Sequence, residues 1–168
     1  MGFGFTITRD DISPAISRLI ATARNPLPVL RAMGTTFKSI TEGAFSSFGA
    51  SYRPRPWPAK RDGSPSILQK STTMAKSFHL AVTSSTATLS NPTPYAAIHQ
   101  FGGIIRPVTA KRLSWVAPNG QRIFAMKVTI PARPFYPVEA GRLTPAAEAK
   151  IIRAGERAIA REAGGSQV

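Results

Sequence analysis

Two histidines, His79 and His99, are the only side chains in this sequence whose unperturbed chemistry moves a proton near neutral pH. General acid–base work also needs a partner that orients the ring. No acidic residue lies within fifteen positions of either histidine. The whole chain holds eight acids: Asp10, Asp11, Glu42, Asp62, Glu139, Glu148, Glu156 and Glu162. Half of them lie on or beside the last predicted helix. Cysteine is absent, which excludes disulfides, thiolate metal ligands and a thiol nucleophile. No P-loop or dinucleotide fingerprint occurs, and Gly2-Phe3-Gly4 lacks the rest of any phosphate-binding pattern. The expectation is a protein that is not an enzyme, with no catalytic residue, cofactor or metal.

The charge is more informative. The net charge is +14 and the isoelectric point is near 11.5. A field of that size attracts polyanions or acidic protein surfaces. Between Gly63 and Val138 there are eight basic residues and no acid. Two uses stay open: contact with nucleic acid, or a basic face meeting an acidic neighbouring subunit. Candidates for either are Arg53, Arg55, Lys60, Arg61, Arg106, Lys111 and Arg112. Tyr52 and Trp57 stand among the first arginines. They could stack on single-stranded bases, or pack a proline-rich loop onto the sheet or a neighbour. Packing is the preferred reading.

The elements that must hold these groups follow from periodicity and turn chemistry. Residues 2–8 alternate Phe3, Phe5 and Ile7 with smaller residues, a strand pattern. Ser13-Pro14 reads as a helix cap, followed by a stripe of Ile16, Leu19, Ile20 and Ala23. Asn25-Pro26-Leu27-Pro28 predicts a break. Leu30, Met33, Phe37, Ile40, Ala44 and Phe48 then recur at helical spacing. Residues 51–65 form a basic loop, because Pro54, Pro56 and Pro58 lack donors and push their predecessors to extended backbone. A short helical turn is expected within 67–77. Residues 78–83 and 87–90 read as strands around Ser84-Ser85-Thr86. A helical turn within 92–100 is closed by Gly102-Gly103. Residues 112–117 and 121–130 read as a hairpin turning at Pro118-Asn119-Gly120, with the whole arm spanning 104–130. Thr144-Pro145 opens a last helix with Ala147, Ile151, Ala154, Ala158 and Ile159 on its apolar side.

Together these predict one α+β domain over 1–163 with a frayed end at 164–168. An antiparallel sheet of four or five strands would be packed by an N-terminal helix pair and a C-terminal helix. The long hairpin and the basic loop would protrude. Hydrophobic residues are 42% and charged residues 18%, enough to build a core. The N-terminus carries no basic segment followed by an apolar run, so no signal peptide is expected. No apolar stretch is long enough to span a membrane.

Two segments carry a resemblance. Tyr95-Ala96-Ala97-Ile98-His99-Gln100-Phe101-Gly102-Gly103, followed some thirty residues later by Ile130-Pro131-Ala132-Arg133-Pro134-Phe135, resembles the phage virion morphogenesis family. This is the tail completion group of Mu-like and P2-like phages. The likeness covers nearly the whole chain, including Trp57-Pro58 in the loop. It departs where Thr72-Thr73-Met74 replaces a usual glycine, and in the long segment between the two motifs. The resemblance implies a virion protein, assembled in the host cytoplasm, that forms a ring at the neck or tail end. It implies a relation to the often six-fold neck and tail-terminator proteins of long-tailed phages. Its partners would then be copies of itself, adjacent neck or connector and tail-tube proteins, and genome DNA in the channel, with no membrane. A nucleic-acid-binding module of the particle is the alternative.

The motif residues have a plain physical reading as a scaffold. Gly102-Gly103 permits a sharp turn. Tyr95, Ile98 and Phe101 fall three apart and are expected to share a face against the sheet. His99 is expected to be a buried histidine bonded to backbone or to a partner subunit. Pro131 and Pro134 fix an extended exit from the hairpin, and Phe135 anchors it in the core. Arg133 is suited to a carboxylate or to several backbone carbonyls. If the hairpin pairs around Asn119, the two motifs converge, and Arg133 and Gln100 satisfy backbone groups at that corner.

Overall fold

Pro26 and Pro28 end one helix and start another. In a computed structural model, which describes residues 12–46, 57–59, 68, 73–117 and 119–164, α1 spans Ile12–Arg24 and α2 spans Leu27–Ser46. The Asn25 N–H donates to Ala21 O at 2.9 Å and closes α1. The Leu30 N–H donates to Pro26 O and opens α2, so Pro28 sits in the first turn, where a missing donor costs nothing. Helix α1 starts one residue before Ser13, so the expected cap lies inside the helix. The expected strand over 2–8 and the basic loop, apart from Trp57 to Ala59, lie outside the described residues, as do residues 165–168.

Helix α2 is the centre of the molecule. It buries Gly34, Ile40, Thr41, Ala44 and Phe45. One side meets α5, which spans Pro145–Gly164. Ile40 there packs with Ala147 and Ile151. The other side meets the hairpin of β1 (His79–Val82) and β2 (Ala87–Ser90). A Cβ on Gly34 would stand 2.8 Å from a Leu80 methyl, so the absent side chain lets this hairpin lie on the helix. The buried Thr41 hydroxyl donates to Phe37 O at 2.9 Å, which removes the cost of an unpaired group. Thr83 holds the β1–β2 turn, its hydroxyl accepting the Thr86 N–H at 3.0 Å.

The remaining elements are short. Helix α3 is Thr73–Lys76 and α4 is Ala96–Phe101. Strand β3 (Gly103–Ile105) pairs with β6 (Val128–Ile130), and β4 (Leu113–Val116) pairs with β5 (Arg122–Ala125). Strand β7 (Val138–Glu139) pairs with β8 (Arg142–Leu143) around Ala140 and Gly141, both at positive φ.

Helices and antiparallel strands together make an α+β fold. The strands do not form the single sheet of four or five expected from the sequence. They form four separate two-stranded antiparallel ladders among the described residues. The reason is local. Each strand is only two to four residues long, and Pro107 and Pro131 stand beside the ladders, where a missing donor limits extension. The hairpin arm is likewise broken, at residues 106–112 and at Met126-Lys127, into an inner and an outer ladder.

An aromatic cluster fills the core between α2 and the chain after β6. Phe45, 1% exposed, has ring centroids 5.6 Å from Phe135, 5.8 Å from Phe78 and 5.7 Å from Trp57. Tilted and edge-on arrangements like these add to the burial of large rings. The apolar stripe expected of α1 is not buried: Ile16, Leu19 and Ile20 are exposed, and so is Ile159 of α5. Helix α1 packs on α5, and among the described elements much of its stripe has nothing opposite. Among the described residues no helix is long and apolar enough to cross a membrane.

Candidate functional site

The two motif segments meet at one corner, at the base of the hairpin arm. Antiparallel pairing places Gly103 opposite Ile130 and Ile105 opposite Val128. This returns the chain to α4, and residues 131–136 then run along that short helix. The Arg133 N–H donates to His99 O at 2.6 Å. The Gln100 side-chain oxygen accepts the N–H groups of both Phe135 and Tyr136 at 3.0 Å. Gln100 is buried, and its carbonyl satisfies two donors that have no strand partner.

A third segment joins the corner from the loop. The Trp57 indole N–H donates to Pro134 O at 2.7 Å. Arg133 reaches the other way, its Nε donating to Pro58 O at 3.3 Å and a terminal nitrogen to Ala59 O at 3.5 Å. Arg133 is buried and makes no ion pair among the described residues. Of the two partners expected for its planar fork, backbone carbonyls are the ones present. Burial lowers its pKa, yet a guanidinium keeps its proton. Trp57 is buried in the aromatic core, so the packing role read for it, rather than base stacking, matches its position.

Gly102 is where backbones come closest. Its φ is +73°, in the region side chains disfavour. A Cβ there would also stand 2.8 Å from Ala132 N and 3.0 Å from Ile130 O. Both demands follow from the chain doubling back on itself at the end of α4.

The expected shared face of Tyr95, Ile98 and Phe101 does not pack on a sheet. Tyr95 is exposed, Ile98 is half-buried and Phe101 is 79% exposed. The buried residues of α4 are Ala96 and Gln100, four apart, which turn the other face inward. His99 is half-buried, with its ring 6.1 Å from that of Tyr95. Its Nδ1 is buried with no hydrogen-bond partner among the described residues, so this nitrogen makes no bond to backbone there. Desolvation, and then the positive charge of Arg133, lower the His99 pKa.

Of the basic candidates, Arg106, Lys111 and Arg112 are exposed on the hairpin arm. Arg53, Arg55, Lys60 and Arg61 lie outside the described residues. A groove the sequence reading did not find runs between α2 and α5, with a volume of about 930 Å³, and Arg31, Arg157 and Arg161 line it. Those arginines were visible on the solvent side of each helical stripe, but their meeting depends on the helix pairing. Asn91 was also missed. Its amide donates to Met74 O at 2.7 Å while its oxygen accepts the Thr93 N–H at 3.1 Å, tying α3 to the approach to α4. Asn before Pro92 was the available signal.

Among the described residues no three His, Asp or Glu side chains gather where they could hold a metal. The polar groups of the corner are largely spent on backbone. Its chemistry is that of a clasp, in which side chains replace strand partners for three distant segments. Compared with known protein families, the chain matches the model of the phage virion morphogenesis family over residues 7–154. No curated protein and no solved structure matches it.

Proposed function

Because this chain belongs to the phage virion morphogenesis family, and so serves in building a phage particle, we propose that it is a non-enzymatic ring subunit at the head–tail junction. The ring ends tail-tube polymerisation and offers a surface to the head, as a tail completion, terminator or neck protein. A hexamer is the expected closed form.

The observation that carries this reading is the exposed apolar surface of the hairpin arm. Ile104, Val108, Val116, Phe124 and Met126 are all more than half exposed on a segment that one small core does not cover. So many exposed apolar side chains on one segment mark an interaction site. Subunits that meet head to tail close into rings when the rotation permits. The corner clasp supports the same reading, because it fixes the base of the arm to the body.

Imaging of assembled particles tests the proposal. The expected result is several copies of the chain in a closed ring between head and tail. Particles made without the chain should have tails that are absent or of uncontrolled length. A single copy, or none at the junction, overturns the proposal. The alternative, a nucleic-acid-binding module, draws support from the +14 charge and from the arginine-lined groove. Genome passing through a ring would use the same charge, so the two readings differ in whether assembly depends on DNA.

A further inference from the structure

We propose that the outer hairpin ladder of one subunit inserts into a cleft at the base of the arm of the next subunit, with Arg122 meeting the partner's copy of Glu139. This deepens the ring reading and rests on it.

The inserting surface is set by strand register. Ser114 lies opposite Phe124, and Val116 lies opposite Arg122. Successive side chains alternate between faces, so these four share one face. Val116 and Phe124 are each 58% exposed, and Arg122 is exposed beside them. Among the described elements, β4 and β5 are in substantial contact only with each other, and Val116 and Phe124 stay more than half exposed on this face. It therefore presents two apolar side chains and one cation to whatever approaches. The residues between Ile104 and Ile130 carry five basic groups and no acid, so the partner surface must be neutral or acidic.

A surface of matching chemistry lies on the same chain. A cleft of about 450 Å³ is lined by Phe101, Ala132, Pro134, Tyr136 and Val138, with Gln100 and the turn Glu139 to Gly141 at its edge. Its walls are mainly apolar, and among the described residues Glu139 is its only charged lining residue. Glu139 is exposed and makes no ion pair among the described residues. Phe101 adds an exposed ring. An aromatic such as Phe124 has an apolar seat here, while a guanidinium beside it can reach a carboxylate.

Position decides that the occupant is a second copy. Phe101 and Ala132 flank the inner ladder, so the cleft is at the base of the arm, while Arg122 is near its tip. Two different patches at opposite ends of one arm make a head-to-tail contact. That contact leaves a free arm at one end and a free cleft at the other until the ring closes.

The chain has no cysteine, which makes introduced thiols unambiguous reporters. Particles are assembled with the variant carrying both Arg122→Cys and Glu139→Cys, and treated with a short bismaleimide. The expected result is a ladder of covalent multimers, while either single variant stays monomeric on the gel. A second experiment reverses charge: Arg122→Glu and Glu139→Arg each lower incorporation into particles at least tenfold, and the two changes together restore it. Closed rings in particles whose doubly substituted chains stay uncrosslinked overturn the docking and leave the ring reading standing. Crosslinking of Arg122→Cys alone to itself also overturns it, because the contact would then be between like patches. Absence of the unmodified chain from the junction removes the ring reading instead.

Discussion

The N–H of Phe135 donates to the side-chain oxygen of Gln100 at 3.0 Å, and by this bond the second motif is seated on the helix that ends the first. The same oxygen accepts the Tyr136 N–H. Replacing Gln100 with Leu keeps the bulk and removes the acceptor. Two backbone donors are then left unpaired in or near the core, at about 1–3 kcal/mol each. The midpoint of chemical unfolding should fall markedly. An unchanged midpoint would mean that solvent reaches these donors freely.

Gly102 and Gly120 separate two causes of glycine dependence. Both have positive φ, at +73° and +81°. Only Gly102 has backbone within 4 Å of a built Cβ. Gly120→Ala should cost only the conformational penalty, about 1 kcal/mol. Gly102→Ala should cost clearly more, and Gly102→Val should abolish folding or ring assembly. Thermal melts of the first two variants, compared at one protein concentration, decide this. Equal losses would show that the corner relaxes around the new methyl.

His99 makes stability depend on pH. Desolvation and the nearby Arg133 lower its pKa in the fold below the ordinary histidine value of about 6.5. The unfolded chain therefore takes up the proton first as pH falls. The stability tied to a neutral His99 is fully present above about pH 6.5 and is lost as pH drops toward the lowered folded pKa. His99→Gln, which cannot titrate, should flatten this part of the profile and be mild in its effect on folding at neutral pH. Unfolding midpoints at pH 7.5 and 5.5 for both proteins check the sign. A steeper fall in the variant would reverse it. Loss of a hydrolytic activity from a folded, assembled His99→Gln ring would instead reopen the question of catalysis.

The exposed bases Arg106, Lys111 and Arg112 should bind duplex DNA weakly and without sequence preference. Each phosphate neutralised contributes about −0.9 to the slope of log affinity against log salt. Replacing all three with Gln should shallow that slope and weaken binding at low salt. Tight, selective binding that persists at high salt would favour the nucleic-acid module. No binding at low salt would direct the charge toward acidic protein neighbours.

Features written over a few adjacent residues were legible directly. Asn25-Pro26 breaks the helices because a missing donor and a ring clash act within one turn. Asn119-Gly120 and Ser84-Ser85-Thr86 turn the hairpins where their local chemistry demands, and the first of these brings the two ends of the arm back together. The pairing of Gly103 with Ile130 does not follow from that turn, because the seven residues 106–112 on one side of the break face only Met126 and Lys127 on the other and shift the register. The helical stripe of α2 marked Ile40 and Ala44, both buried.

What tertiary structure alone decided depends on groups brought together from afar. Phe45 sits at the centre of the aromatic core, although the stripe read in the sequence passed it by, because Trp57, Phe78 and Phe135 converge on it. Tyr95 and Phe101 look like core residues by type but face outward, since a helix of six residues has one buried face and Gln100 holds it. The strands were readable one by one. Their separation into four ladders was not, because strand pairing beyond a hairpin is a contest between distant edges that short strands and prolines leave unpaired. Arg133 could be matched to carboxylate or carbonyl by its chemistry alone. Only the path of the chain at Pro58 and Ala59 brought the carbonyls within its reach.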